Sequence, residues 1–218
     1  MHVKKPFDMT QNLDAYCTLA ARERAEIVMK GSRFIASVAP VATKEDALAF
    51  IETIRKEFYD ATHNCFAYRL GPQGLNFRTS DDGEPSGTAG KPMLFVLQKH
   101  EVSDVVAVVT RYFGGTKLGV GPLARAYSDV LGEAMNLVKK REVLLTSALR
   151  VFCVYEDVAV VKRLLHQQAV RYEEHYADAV EFVAYFLNSK ITTFPELLTN
   201  ATAGRAGVVV VEKEGAEG

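Results

Sequence analysis

The segment from Val105 to Ala126, VVAVVTRYFGGTKLGVGPLARA, limits what this chain can fold into more than any other. Its five apolar residues, Val105 to Val109, have the length and β-branched character of a buried strand. Gly114, Gly115, Gly119 and Gly121 then fall within eight positions, and Pro122 opens an apolar-periodic stretch. Strand, loop and helix are expected in succession. Such a loop turns peptide N–H groups outward, and the helix start adds the positive end of its dipole, so an anion can be held there. Arg111, Lys117 and Arg125 lie in this segment and no acid does. The glycines have a second explanation, which is sharp turns and close helix–sheet packing.

Two specific motifs fail. A P-loop needs Ser or Thr after its lysine to hold Mg²⁺, and Lys117 is followed by Leu118. Gly119 to Ala124 fits GxGxxA, but a dinucleotide fingerprint starts directly after its strand, whereas a loop intervenes here. A generic anion site remains. Arg111 at the strand end can fork onto a phosphate or pair with Asp81, Asp82 or Glu84, and Lys117 is expected to be exposed. Tyr112 and Phe113 point to opposite faces; Tyr112 is assigned the stacking role and Phe113 the core.

Upstream, Arg24 to Met29 and Arg33 to Val41 flank Lys30-Gly31-Ser32 as a hairpin, and residues 12 to 20 suggest a short helical turn. Thr43 and Asp46 form a capping-box pattern before a helix running to about Tyr59, and Thr62 to Leu70 reads as a strand. Residues 76 to 91, NFRTSDDGEPSGTAGK, have the composition of an irregular loop leading into a helix at about Thr88 to Gln98, with Pro92 in its first turn. Asp81, Asp82 and Glu84 could bind Mg²⁺ or could cap backbone N–H groups. Ser86 and Thr88 fit helix caps, and His63, Asn64 and Ser80 could line the same cleft. The helix from Pro122 buries Leu123, Ala126, Tyr127, Val130, Leu131, Ala134 and Leu137, and Lys139-Lys140-Arg141 suit its C-terminus.

A charge shift near Val143 marks a boundary: residues 1–142 carry a net +2 and residues 143–218 a net −3. Any anion-binding role therefore belongs to the first part. Beyond the boundary, strand 147–155, helix 157–168, strands 169–176 and 180–188, helix 193–199 and strand 206–212 give β-α-β-β-α-β, the pattern of a ferredoxin-like domain. The fold class is α+β in two domains, residues 20–142 and 143–213. Disorder is expected for residues 1–10 and after Val211. Cys17, Cys65 and Cys153 are odd in number and widely spaced, which suits reduced thiols in a cytoplasmic protein and implies no zinc site. No apolar run reaches the length of a membrane span.

The blocks Thr62-His63-Asn64-Cys65, Ser80-Asp81-Asp82-Gly83-Glu84-Pro85, Gly90-Lys91-Pro92-Met93-Leu94 and Val109 to Gly119 together resemble the YigZ/IMPACT family. The resemblance covers residues of about 20 to 140, and the remainder is similar to the extra domain of its bacterial members. It implies an N-terminal domain like domain IV of elongation factor G and the GHMP kinases, with a left-handed β-α-β arrangement and helices on one sheet face. It also implies a role in translation control under stress, since eukaryotic relatives restrain a translation-initiation kinase during amino-acid starvation by binding its activator. That activator belongs to a eukaryotic pathway and is not carried over. The expectation is a cytoplasmic regulatory protein that binds RNA, the ribosome or a translation factor through Arg111, Tyr112, Gly114, Gly115, Lys117, Gly119, Gly121 and Arg125. No cofactor is required by it. The alternative is an enzyme acting on a phosphorylated small molecule or nucleotide, with Mg²⁺ on Asp81 or Asp82.

Overall fold

A computed structural model describes residues 14–176 and 179–211. The disorder expected at the two ends lies outside the described residues. The chain divides into two compact units: Tyr16–Val143, and the part from Leu144 onward together with Asp14 and Ala15.

The first unit is built on a five-stranded antiparallel sheet. Its strands are β2 (Glu23–Met29), β3 (Ser32–Pro40), β4 (His63–Leu70), β5 (Asn76–Ser80) and β6 (Val105–Tyr112). They lie in the order β2-β3-β6-β4-β5, so the apolar run of β6 is central. The β2–β3 hairpin turns at Lys30 and Gly31, both at positive φ, as a two-residue loop of matching twist requires. Helix α1 (Lys44–Glu57) starts with the expected capping box between Thr43 and Asp46. Helices α2 (Gly90–Lys99) and α3 (Val120–Leu137) follow β5 and β6.

Helices cover both faces of this sheet, which corrects the one-face arrangement implied by the resemblance. Cys65, Ala67, Val105, Ala107 and Val109 pack with α2 and α3, whereas Phe66, Tyr68, Val106 and Val108 pack with Phe50, Ile51 and Ile54 of α1. Successive strand residues point to opposite faces, so strands apolar throughout need a cover on each side.

Three local expectations are also corrected. Residues 15–19 form a strand, β1 (Ala15–Leu19), which pairs with β7 (Lys140–Leu144). The cations at 139–141 therefore do not end the helix. Helix α3 stops at Leu137, which is exposed, and Met135 is buried in its place. The irregular loop begins only at Asp81, because residues 76–80 pair with β4 as edge strand β5.

The second unit contains β8 (Thr146–Cys153), α4 (Val158–Gln168), β9 (Arg171–Tyr176), β10 (Val180–Leu187), α5 (Phe194–Thr202) and β11 (Gly207–Val210). The strand order β11-β8-β10-β9, antiparallel throughout, is that of a ferredoxin-like domain. Alternate residues of β10, Val180, Phe182, Ala184 and Phe186, are buried with Val161 and Leu165 of α4 and Phe194 and Leu198 of α5. One face of each strand makes this core, as period-2 burial demands.

Candidate functional site

The carboxyl end of β6 sets the geometry of the candidate site. Pairing places Arg111 opposite Phe34 on β3 and His63 on β4. Its guanidinium donates to Glu84 Oε1 at 2.7 Å and to Ser32 Oγ at 3.3 Å, and its Nε has no hydrogen-bond partner among the described residues. Tyr127 of α3 donates its hydroxyl to the same Glu84 oxygen at 2.7 Å. Both side chains of the ion pair are buried, at 6 % and 3 % exposure. The sequence left Arg111 a choice between a phosphate and an acid of the 81–84 turn; it pairs with Glu84. As a ligand for an external anion it is corrected to a buried anchor. Its guanidinium carbon also lies over the rings of Phe34 and Phe113, 5.3 and 5.4 Å from their centres.

The acidic turn is wired into the same unit. Asp81 accepts from the N–H groups of Gly87, Ala89 and Gly90 at 2.8 to 3.0 Å, which satisfies donors at the start of α2. Partial burial pushes its carboxyl upward, and these three bonds outweigh that, so its pKa is lowered overall. Asp82 accepts from the Asn64 N–H at 2.7 Å and lies 3.4 Å from Arg55. Its carbonyl accepts from His63 Nδ1 at 2.7 Å, which turns Nε2 to Glu84 at 3.8 Å. Asn64 also accepts from Thr110. Ser80 accepts from the Asp82 N–H, Thr88 donates to the Pro85 carbonyl, and Ser86 is exposed.

The suggested Mg²⁺ site is corrected as well. Asp81, Asp82 and Glu84 each serve a different protein partner, and no group of three His, Cys, Asp or Glu among the described residues could hold a metal ion. Hard-cation sites need convergent, available oxygens, which this arrangement does not present. Cys65 is buried under the same turn, and burial pushes its thiol well above the ordinary range.

The glycine loop is the exposed part. Residues 113–117 and 119–122 are exposed, while Leu118 is buried. The loop is pinned at its entry, where the Phe113 N–H donates to Thr62 Oγ1 and the Gly114 N–H to Ser32 Oγ, both at 3.1 Å. A Cβ on Gly114 would lie 1.9 Å from the carbonyl carbon of Gly31, so the loop and the β2–β3 hairpin tip touch backbone to backbone. Gly115 and Gly119 hold positive φ with open space around them. No side chain caps α3; Pro122 has no N–H and the Leu123 N–H donates to the Gly119 carbonyl, so Val120 and Gly121 are the first-turn donors at its positive end. Lys117 and Arg125 are exposed and form no ion pair among the described residues.

Phe113, expected in the core, is exposed, and Tyr112 is half-buried. The Tyr112 hydroxyl donates to Asp60 at 2.8 Å and its ring lies under Arg33, whereas Phe113 is 45 % exposed. Strand alternation set them on opposite faces, but which face stays open depends on the helices. Also absent from the sequence-based set are Ser32, Thr62 and Tyr127. Tyr127 was legible only as a core residue, because its hydroxyl partner lies in a distant loop.

Comparison with known proteins now bears on this geometry. Residues 30–135 match the Impact N-terminal domain, and residues 151–205 match a domain of unknown function, DUF1949. "IMPACT family member YvyE" of Bacillus subtilis (strain 168) is 40 % identical over 197 residues, which cover 90 % of this chain and 91 % of that protein. The chain belongs to the IMPACT family. Another IMPACT-family protein, YigZ of Escherichia coli (strain K12), is 42 % identical over 144 residues, 64 % of this chain and 69 % of its own length. A crystal structure of a hypothetical protein, 32 % identical, superposes with a TM-score of 0.64 and covers 92 % of this chain and 99 % of that one. The IMPACT domain match spans the glycine loop, the acidic turn and their buried link. Among the described residues, no helix is long and apolar enough to cross a membrane.

Proposed function

We propose that this IMPACT-family protein is a regulatory protein of the translation apparatus, and that its glycine loop binds RNA. One observation carries the reading: Lys117 in the glycine loop and Arg125 in the early part of α3 are exposed and form no ion pair among the described residues, beside a helix start that no side chain caps. Phosphate oxygens are the ligands that such groups favour, and RNA supplies them in series. The resemblance of both domains to elongation-factor modules points the same way, although a fold alone does not fix a function. The enzyme alternative has less support, since Asp82, Asp81 and Glu84 already accept hydrogen bonds from the Asn64 N–H, the Gly87 N–H and Arg111.

Sedimentation with ribosomes tests the proposal. The protein should pellet with ribosomes at about 50 mM salt and be released by about 200 mM, because phosphate contacts displace counterions. Replacing Lys117 and Arg125 by Ala should leave it in the supernatant at both. Protein that stays free at low salt contradicts the proposal, and pelleting insensitive to salt would assign the contact to a protein factor.

A further inference from the structure

We infer that the glycine loop takes single-stranded RNA, an unpaired base stacking on Phe113 while flanking phosphates meet Lys117 and the Lys30–Gly31 turn. This rests on the RNA reading above and adds which form of RNA the site selects. Phe113 is 45 % exposed. Its ring is anchored beneath by the Arg111 guanidinium, itself over Phe34 and held by Glu84 and Ser32. Its backbone is fixed by Thr62. A ring set in place loses little freedom when a base stacks on it. Gly114 and Gly115 follow, so no neighbouring side chain on that side screens the ring.

The backbone contact of Gly31 with Gly114 sets the hairpin tip against the residue that follows Phe113, and Lys30 at that tip is exposed and without an ion pair among the described residues. Nearby acids are already engaged, Asp60 by Tyr112 and Glu26 by Arg33. The surface thus joins cations to a free aromatic face, the combination that single-strand sites use. A duplex keeps its bases stacked and could meet only the cations. A site built for phosphate alone would have no use for an exposed, anchored ring.

Fluorescence anisotropy on the full chain at low salt separates these cases. Three labelled RNAs of roughly 12 nucleotides per strand serve as probes: an oligouridylate, an abasic strand with the same number of phosphates, and a duplex. Oligouridylate should bind about tenfold tighter than the abasic strand, as one stacked base implies. Phe113→Leu and Phe113→Ala should bring it to the abasic level without changing abasic or duplex binding, and Phe113→Trp should keep the preference. Thermal unfolding of each variant checks the fold, and Phe113→Leu with Phe113→Trp decides the matter if Phe113→Ala is unstable. Equal binding of oligouridylate and abasic strand, tighter binding of duplex, or a preference that survives Phe113→Leu overturns the inference while phosphate binding stands. Failure of all three probes to bind overturns both.

Discussion

Arg111 and Glu84 form a buried ion pair, and removing either partner leaves the other charge buried without its counter-charge. Arg111→Met or Glu84→Leu alone should lower stability by about 3–5 kcal/mol, and the double substitution by clearly less than the sum. Urea unfolding of the three variants measures this; additive losses would show that the pair is not coupled. Asp81 gives a pH-dependent counterpart. Its folded pKa lies below the ordinary 3.8, so its stabilising effect is complete above that value and is lost as pH falls through the folded pKa. Asp81→Asn should therefore be less stable than the native protein at neutral pH, with the gap closing below about pH 4. Thermal unfolding across that range checks it, and a gap that widens in acid would contradict the assignment. These roles were only partly legible. The cation at the strand end and the nearby acids stood in the sequence, but the choice of Glu84 over Asp81 and Asp82 depends on how the 81–84 turn folds over β6. Phe113 was hidden for a similar reason, since alternation tells sides apart without saying which is covered.

Glycines divide the glycine loop into a part that must be bare and a part that need not be. Gly114 meets the Gly31 backbone, where any Cβ would force the hairpin tip away. Gly121 has nothing within 4 Å of its would-be Cβ and sits in the first turn of α3. Gly114→Ala should thus lower the melting temperature by several degrees, whereas Gly121→Ala should leave it unchanged or raise stability by up to about 1 kcal/mol. Equal effects would mean that the backbone contact does not hold the loop. At this scale the long periodic elements were readable: α1 through its capping box and α3 through its apolar face. The short strands β1, β5 and β7 were not. Their residues lack a clear alternation; β1 and β7 become strands by pairing with each other across the length of the first unit, and β5 by adding to the edge of β4.

Two units with separate cores account for the whole molecule, and the first owes part of its stability to β1. Leu19 is fully buried there, and Tyr16 and Thr18 both hydrogen-bond to Asp104. A fragment of residues 14–143 should consequently unfold at higher denaturant than one of residues 20–142, the span expected from sequence, because the shorter piece exposes that apolar surface and loses two hydrogen bonds to Asp104. The ferredoxin-like unit was fully legible in outline, since each of its elements has a clean period and turn signals between them. Helix placement over both faces of the first sheet was less so, because a continuous apolar strand says that both faces are covered without saying by which helix. The proposed function rests on the exposed glycine loop, and the dependence of RNA affinity on salt tests it most directly. Replacing Lys117 and Arg125 together by Ala should reduce the slope of log K against log salt by about 1.4 for a single strand, the release expected for two phosphate contacts. An unchanged slope and affinity would contradict the claim that this loop is where RNA binds.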